Sequence, residues 1–252
     1  MKFSKILAIV LALVMVYAVV ACKKTETKTE PETPAVKVAM ITDYGDITDQ
    51  SFNQTTYEAC KAFCEGKKLD FQYYKPASDS DEDRISSIEK AIDDGFNVIV
   101  MPGYAFGPAI KATAEKNEKV TFIALDVSEF DLGYEGALPA NLYSAVYQEE
   151  LCGYMAGYAA VKLGYTKLGF LGGMAVPAVI RYGYGFVQGA DKAAAELGIQ
   201  IEINYTYGGQ FFGDAAITAK MEGWYSSGTE IVFACGGGIY TSAVEADNKY
   251  EG

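Results

Sequence analysis

The chain has 252 residues, of which 33 are acidic, 21 are basic and none is histidine, so its formal net charge is −12 at pH 7. The absence of histidine excludes Ser-His-Asp and Cys-His catalysis and histidine-ligated metal sites. The negative charge, with no basic patch in the sequence, argues against nucleic acid as a partner.

The first 22 residues have the pattern of a bacterial lipoprotein signal. Lys2 and Lys5 form a short basic region, residues 6–20 are apolar, and Val19-Val-Ala-Cys22 matches a lipobox. The apolar run is too short, and wrongly flanked, for a membrane span. We therefore expect residues 1–22 to be a signal and Cys22 to be lipidated. The alternative is an ordinary secretory signal with a coincidental cysteine.

Residues 23–36 predict a flexible tether, because positions 23–34 contain only Lys, Thr, Glu and Pro and bury no apolar surface. A lipid followed by a tether predicts a protein anchored on the extracytoplasmic face of the cell membrane. No Cys-x-x-Cys pair is present, so the sequence gives no support for a zinc site. We expect the four remaining cysteines to be small buried residues.

From Val36 onward, short apolar runs alternate with segments of helical character. The predicted strands are residues 38–41, 70–75, 97–101, 120–125, 167–171, 200–205 and 230–234. The predicted helices are residues 52–65, 81–94, 106–117, 142–163, 180–197, 214–226 and 240–249. This repeated βα pattern predicts an α/β protein with parallel sheets and helices on both faces.

Residues 127–141 interrupt the repeat and contain Gly133, Gly136 and Pro139. We interpret this segment as the passage from an N-terminal α/β lobe, residues 37–140, to a C-terminal α/β lobe, residues 141–252. The sequence stops at Gly252 directly after a predicted helix, where another strand is due. We therefore expect the natural protein to be longer and the C-terminal lobe to lack its last part.

Polar, aromatic and glycine residues gather where the predicted strands end. Ligands of open parallel sheets bind at these ends, and two lobes facing each other would place all of them in one interdomain cleft. The candidate ligand-binding residues are Asp43, Phe52, Asn53, Tyr104, Asp126, Phe211, Phe212, Gly236, Gly237 and Gly238.

Asp43, Phe52 and Asn53 would lie at the mouth of the first strand, and this set suits a flat molecule that forms hydrogen bonds. The carboxylate of Asp126 can accept two hydrogen bonds from a vicinal diol such as that of a ribose, or it can cap a turn. Phe52 can stack on a base, which is worth ~1–3 kcal/mol, or it can be an ordinary apolar residue of the first helical turn. Asn53 can donate to and accept from a heteroaromatic edge, or cap the helix.

The remaining candidates lie at the ends of other strands. One of Phe211 and Phe212 could cover the second face of a ring, and the sequence leaves open which one. The run Gly236–Gly238 permits close approach of the backbone to a ligand. The G-x-G-x-x-G spacing is absent, so we expect no dinucleotide cofactor. Arg84 and Arg181 are the only arginines. Phosphate sites usually recruit arginine, so we expect an uncharged or weakly charged ligand.

The segment Thr42-Asp-Tyr-Gly-Asp-Ile-Thr-Asp-Gln-Ser-Phe-Asn-Gln54 resembles the opening motif of the basic membrane protein (BMP), PnrA-like family. This family consists of substrate-binding lipoproteins of ABC importers. Thr48 departs from the pattern, because the family commonly has an acid there, and a later motif of the family is missing. Further segments that resemble the family are residues 122–126, 148–160, 167–173, 185–190, 207–214 and 234–238.

The resemblance implies a type I periplasmic-binding-protein fold, a purine nucleoside ligand and an ABC permease as partner. It also implies base stacking by Phe52 and by one aromatic of the Phe211-Phe212 pair. Polar contacts are implied from Asp43, Asn53, Asp126 and residues 236–238. We expect a monomer with no cofactor, no metal and no catalytic activity. The alternatives are a receptor of the same fold for a sugar or another small solute, and a nucleoside-processing enzyme.

Overall fold

The computed structural model describes residues 35–250, and within them strands and helices alternate as predicted. Cys22 and residues 23–34 of the predicted tether lie outside the described residues. The strands are β1 (Lys37–Ile41), β2 (Asp70–Tyr74), β3 (Val98–Pro102), β4 (Thr121–Leu125), β5 (Leu142–Ala145), β6 (Lys167–Gly172), β7 (Glu202–Tyr207) and β8 (Ile231–Cys235). The helices are α1 (Phe52–Lys67), α2 (Asp81–Asp93), α3 (Gly107–Thr113), α4 (Glu129–Leu132), α5 (Glu149–Lys162), α6 (Pro177–Leu197), α7 (Ala215–Ser226) and α8 (Tyr240–Asp247), and a 3₁₀ turn covers Tyr104–Phe106.

The strands form two parallel sheets, which confirms the predicted α/β class. The first sheet has the order β2-β1-β3-β4-β5 and the second has the order β7-β6-β8. The chain runs outward from β1 in both directions, so the first sheet has a switch point between β1 and β3. The second sheet has its switch point between β6 and β8. Ligands of such sheets bind beyond the carboxyl ends of the strands at these points.

The central strands are continuous apolar runs because both faces of each sheet are covered. Ile41 and Ile99 have no solvent exposure, and neither has Phe122 on the neighbouring strand. Separate clusters of buried side chains pack on the two faces of each sheet. In parallel sheets covered on both faces, each central strand appears in the sequence as a continuous apolar run, and this explains why such runs predicted these strands.

The predicted helix over residues 142–163 is wrong at its start. Leu142–Ala145 is the strand β5, which pairs with β4, and helix α5 begins only at Glu149. The side chain of Asn141 fixes the entry to β5 by donating to the carbonyls of Ala114, Asn117 and Val120 at 3.0, 3.1 and 3.0 Å. Hydrogen bonds to a neighbouring strand thus override the helical propensity of this short segment.

Residues 127–141 lead to β5 of the first sheet, so they are not the passage between the sheets. They contain α4, whose first turn is closed by reciprocal hydrogen bonds between Ser128 and Asp131. The chain passes from the first sheet to the second only after Ala145. The division into lobes at residues 140 and 141 stays a prediction.

The predicted helix over residues 106–117 is shorter in the structure. It starts with the 3₁₀ turn Tyr104–Phe106 and ends at Thr113. The Asn117 side chain donates to the Thr113 carbonyl at 2.9 Å. This side-chain bond satisfies a carbonyl that a longer helix would have used, and so it stops the helix there.

Helices α5 and α6 approach each other until their backbones touch. A Cβ atom added at Gly153 or Gly157 of α5 would lie 2.0 Å from a backbone oxygen of α6. A Cβ atom added at Gly185 or Gly189 of α6 would likewise lie 2.0 Å from a backbone oxygen of α5. We call these four residues the glycine seam. It brings the N-terminal ends of both helices together near the ends of β4 and β8.

Candidate functional site

The loop after β1 is built around the carboxylate of Asp43. Its Oδ1 atom accepts hydrogen bonds from the backbone N–H groups of Tyr44 and Gly45 at 2.6 and 2.7 Å, and from Asn53 Nδ2 at 3.0 Å. The backbone N–H of Asp43 donates to Asn53 Oδ1 at 3.2 Å. The carboxylate of Asp49 also accepts from Asn53 Nδ2, at 3.1 Å.

The amide of Asn53 is therefore used within the loop. Asn53 is buried, at 5% exposure, and both ends of its side chain have protein partners. Its hydrogen bonds to the backbone N–H and the carboxylate of Asp43 hold that residue in place. A contact between the Asn53 side chain and a ligand stays a prediction, and the structure gives this residue a supporting set of contacts.

Arg84, one of the two arginines, braces the same loop from behind. Its Nε atom donates to the backbone carbonyl of Asp43 at 3.1 Å, and its other nitrogens pair with Asp79 and Asp81. The guanidinium lies over the ring of Phe106 at 6.0 Å. The Arg84 side chain is only 5% exposed. A buried cation with several partners holds its neighbours in one geometry, so Asp43 has little freedom to move.

Tyr104 begins the 3₁₀ turn that follows β3, next to Asp43. Gly103 has φ +122°, and a Cβ atom there would lie 3.3 Å from Asp43 Cβ. Only glycine adopts this backbone conformation without strain, and it allows the ends of β1 and β3 to approach closely. Burial raises the pKa of Tyr104, and the charges of Asp79 and Asp43 act in the same direction.

Asp126 follows β4 with a backbone in the left-handed region, at φ +60°. Its backbone N–H donates to the Ala145 carbonyl at 2.7 Å, and its side chain is 14% exposed. A left-handed conformation in a residue other than glycine costs of order 1–3 kcal/mol, and such residues cluster at functional sites. The turn holds the carboxyl group beside the N-terminal ends of α5 and α6.

Glu149 and Arg181 face Asp126 from these two helices. Arg181 Nε donates to Glu149 Oε2 at 2.6 Å, and Arg181 Nη2 lies 3.6 Å from Asp126 Oδ1. The Glu149 side chain is 5% exposed. Burial raises the pKa of Asp126 to about 7, and the charge of Glu149 adds to this shift, while Arg181 opposes it.

A small hollow separates the end of the first sheet from the start of α6. Its volume is about 20 Å³, which is room for about one water molecule. Tyr104 and Asp126 border it on the side of the first sheet, and Arg181 borders it on the side of the second. Two of the candidate residues, from different strand ends, therefore share one hollow with the second arginine of the chain.

Phe52 lies beside Tyr147, which belongs to the connection between β5 and α5. The two ring centroids are 6.2 Å apart and the rings meet edge to face at 85°. Burial raises the pKa of Tyr147, and the charge of Asp126 contributes to the same shift. Tyr147 thus contacts Phe52 and lies close enough to Asp126 to feel its charge.

The candidates of the second sheet gather at its own switch point. A Cβ atom added at Gly173 after β6 would lie 2.4 Å from Phe211 Cδ1, and one added at Gly236 after β8 would lie 2.9 Å from the same atom. Gly238 N–H donates to the Phe211 carbonyl at 2.8 Å. Phe211 is therefore packed onto the strand ends, whereas Phe212 is 58% exposed. Gly236 and Gly237 have φ values of +135° and +49°.

The structure brings Asp43, Tyr104 and Asp126 together at adjoining strand ends. Phe52 joins this group through Tyr147, while Phe211 and Gly236–Gly238 form a second group at the other sheet. Sequence analysis missed Glu149, Arg181 and Tyr147. The signals for the first two were the rarity of arginine and the repeated Gly-x-x-x-Gly spacing in both α5 and α6.

The described residues contain no group of three or more acidic or cysteine side chains arranged to hold a metal ion. Burial raises the pKa of the Cys235 thiol to about 12, so this thiol, which lies at the end of β8, is held protonated. Within residues 35–250, no helix combines the length and the apolar character that crossing a bilayer requires.

Comparison with known families gives one match over most of the chain. The family described as ABC transporter substrate-binding protein PnrA-like matches residues 36–250. The ABC transporter nucleoside-binding protein BmpA of Lactococcus lactis is 28% identical over 211 residues, with 82% of this chain and 56% of that protein covered. Basic membrane protein A1 of Borrelia garinii is 28% identical over 237 residues, covering 88% of this chain and 66% of that protein. The chain thus spans between about half and two thirds of the length of these relatives.

Solved structures share the fold. A solute-binding protein of an ABC transporter system from Aeropyrum pernix superimposes with a TM-score of 0.71 at 20% identity, covering 85% of this chain and 58% of that chain. A solute-binding protein of an ABC transporter system from Conexibacter woesei gives a TM-score of 0.66 at 24% identity, covering 84% and 68%. These likenesses confirm the predicted type I periplasmic-binding-protein fold.

Proposed function

Because the family match covers residues 36–250, the chain belongs to the PnrA-like family of ABC transporter substrate-binding proteins, and we propose that it binds purine nucleosides at its strand ends. The observation that carries this proposal is the junction of Asp43, Tyr104 and Asp126 at the ends of β1, β3 and β4. Carboxylates in that position suit the hydroxyl and amine donors of a nucleoside.

The aromatic candidates suit the faces of a base. Phe52 is half-buried, and its ring and that of Tyr147 meet edge to face. The Phe211 ring packs against the backbone at Gly173 and Gly236, and the exposed Phe212 follows it. We propose Phe52 as one stacking partner and a residue of the Phe211-Phe212 pair as the other. The Lactococcus lactis relative, which is named a nucleoside-binding protein, supports the same ligand class.

Binding requires the two sheets to separate. The hollow between Asp126 and Arg181 is about 20 Å³, whereas small-molecule sites measure ~300–1,000 Å³. The ion pair of Asp126 with Arg181, at 3.6 Å, joins the two sides and has to open for a ligand to enter. Hinge opening around an interdomain site is the usual mechanism of binding proteins of this kind.

We further propose that the protein is anchored through lipidated Cys22 on the outer face of the cell membrane and passes its ligand to an ABC permease. The lipobox Val19-Val-Ala-Cys22 and the polar tether after it support anchoring. Membership of a family of ABC transporter substrate-binding proteins supports the permease. A monomer with no enzymatic activity fits this role.

Calorimetric titration of the purified full chain with inosine, guanosine and adenosine tests the ligand. We expect saturable binding of at least one nucleoside, and no release of free base on prolonged incubation. Galactose and arabinose serve as comparison ligands, because sugars are the alternative for this fold. Binding of a sugar without heat from any nucleoside would overturn the ligand class and leave the fold untouched.

A further inference from the structure

Resting on the proposed function, we propose that Arg181 is a positioning residue that holds the carboxylate of Asp126 in the empty protein and competes with the ligand for it. The ligand then binds only to the fraction of molecules in which Asp126 and Arg181 have separated, so this ion pair sets the apparent affinity. Glu149 regulates the competition, because it shares the same guanidinium.

Asp126 faces two positively charged features on the side of the second sheet. Arg181 Nη2 lies 3.6 Å from Asp126 Oδ1. Pro177 and Ala178, the first residues of α6, border the same hollow as Asp126, and Val176 gives this helix no side-chain cap. The N-terminal end of a helix carries a partial positive charge and attracts a carboxylate. In the empty protein, these groups therefore take the place at Asp126 that the proposed ligand would occupy.

The contact between Asp126 and Arg181 is weak enough for a ligand to displace. Charge-assisted hydrogen bonds from N–H groups to carboxylates measure ~2.7–2.9 Å. Arg181 Nε makes a short bond of this kind to Glu149 Oε2, at 2.6 Å, whereas its contact with Asp126 is 3.6 Å long. The guanidinium is thus held firmly by Glu149 and only loosely by Asp126. Two hydroxyl groups that donate directly to Asp126 would make closer contacts than Arg181 does.

Arg181 has another acceptor within reach once the ligand has taken Asp126. Glu150, the second residue of α5, is close enough for its charge to act on Arg181. Its Oε2 atom is buried and has no hydrogen-bond partner among the described residues. A buried acceptor without a donor costs free energy, so a guanidinium released from Asp126 gains by turning toward Glu150. Displacement of Arg181 therefore leaves no unpaired cation behind.

The two members of the Glu149–Arg181 pair should change ligand affinity in opposite directions. Arg181→Gln frees Asp126 from its competitor, so the ligand should bind more tightly. Glu149→Gln replaces the nearest carboxylate by a neutral amide, so the guanidinium is drawn more strongly to Asp126 and the ligand should bind more weakly. A pair that only supported the fold would weaken binding in both variants.

Calorimetric titration of the full chain with inosine measures this competition. The titrations are made at pH 8, because Asp126 is charged above its pKa of about 7. We expect Arg181→Gln to bind inosine roughly fivefold more tightly than the parent chain and Glu149→Gln to bind it roughly fivefold more weakly, as for the loss or gain of one ion pair. Inosine is uncharged, so raising salt from about 0.05 M to about 0.5 M should tighten its binding to the parent chain by screening the ion pair. The affinity of Arg181→Gln should not change with salt.

Lys192→Gln is the matched control, because it also removes one positive charge from α6. Lys192 is exposed, pairs with Glu196 and does not border the hollow, so this variant should bind inosine as the parent chain does. Arg181→Gln leaves Glu149 buried without its partner, which can prevent folding. The double variant Glu149→Gln/Arg181→Gln removes both charges, and it should also bind inosine more tightly than the parent chain.

Small-angle X-ray scattering without ligand tests the hold of Arg181 separately from binding. The radius of gyration should be larger for Arg181→Gln, or for the double variant, than for the parent chain. Equal radii would overturn the inference, as would folded variants without Arg181 that bind inosine no more tightly than the parent chain. Failure of every nucleoside to bind to the parent chain and to both variants would instead contradict the proposed function. Scattering would still decide whether Arg181 holds the two sides together, so the two failures are distinguishable.

Discussion

At the scale of single residues, Asp126 combines three features that a turn residue rarely shares. Its backbone is left-handed, its carboxyl group is mostly buried, and a second carboxyl group lies beside it. Burial and the neighbouring carboxyl group disfavour the charged form of Asp126, and the left-handed backbone adds a conformational cost. A residue kept under such conditions is a functional candidate on physical grounds.

Asp126→Asn should change how stability depends on pH. The carboxyl titrates near 3.8 in the unfolded chain and at about 7 in the folded chain. Between these values the folded chain binds more protons, so the free energy of unfolding falls as pH rises. The variant lacks this titration and tolerates the left-handed conformation. Urea denaturation at pH 5 and pH 8 should show the parent chain losing more stability than Asp126→Asn. Equal losses would contradict the raised pKa.

Phe52→Ala should weaken nucleoside binding by more than tenfold, since base stacking is worth ~1–3 kcal/mol. The matched control is Phe63→Ala, because Phe63 lies on the same helix α1 and is 56% exposed. Calorimetry on both variants gives the comparison. If the two substitutions have the same effect on affinity, Phe52 does not stack on the ligand.

At the scale of elements, the glycine seam decides where α5 and α6 can lie. Gly157→Ala should destabilise the fold by several kcal/mol, in the range of severe overpacking, because the new Cβ atom would meet the Phe186 carbonyl oxygen at 2.0 Å. The control is Gly223→Ala in α7, which meets no atom within 4 Å. It should be neutral or stabilising by up to ~1 kcal/mol.

Chemical denaturation measures both glycine variants against the parent chain. Far-ultraviolet circular dichroism confirms that each variant is folded before its midpoint is compared. A Gly157→Ala protein as stable as Gly223→Ala would show that the two helices can move apart without loss.

The elements that sequence predicted are those whose pattern is local. β1, β3 and β4 are apolar runs buried on both faces, and α2 has isoleucines at helical spacing, so their sequences alone define them. β5 was missed because Leu-Tyr-Ser-Ala alternates weakly and is a strand only through its pairing with β4. Register with a neighbouring strand is not encoded in a four-residue segment.

The same distinction separates the site residues that were predicted from those that were missed. Asp43 and Asp126 directly follow recognisable strands, so strand ends located them. Glu149 and Arg181 stand at or near the first turns of their helices, and they meet only because the glycine seam brings those helices together. Asn53 was placed correctly near Asp43, but the hydrogen bonds that occupy its amide depend on the exact path of the loop.

At the scale of the whole molecule, charge should select among ligands. The chain has a formal net charge of −12, and Arg181 is already paired with Glu149. We expect inosine 5′-monophosphate to bind at least tenfold more weakly than inosine, because like charges brought together cost several kcal/mol. Competition titrations measure the ratio of the dissociation constants of inosine 5′-monophosphate and inosine. Salt at about 0.5 M should reduce this ratio because it screens the charges. Equal affinity would contradict an anionic site.

Backbone contact along the glycine seam leaves no room for a side chain between α5 and α6 at these four positions. We therefore expect the two helices, together with the Glu149–Arg181 pair at their N-terminal ends, to move as one rigid unit with the second sheet. Among residues 35–250, the three residues between Ala145 and Glu149 connect the first sheet to this helix pair, and one of them is Tyr147. The aromatic partner of Phe52 thus lies in this connection, so we expect a rotation of the helix pair relative to the first sheet to move Tyr147 against the Phe52 ring.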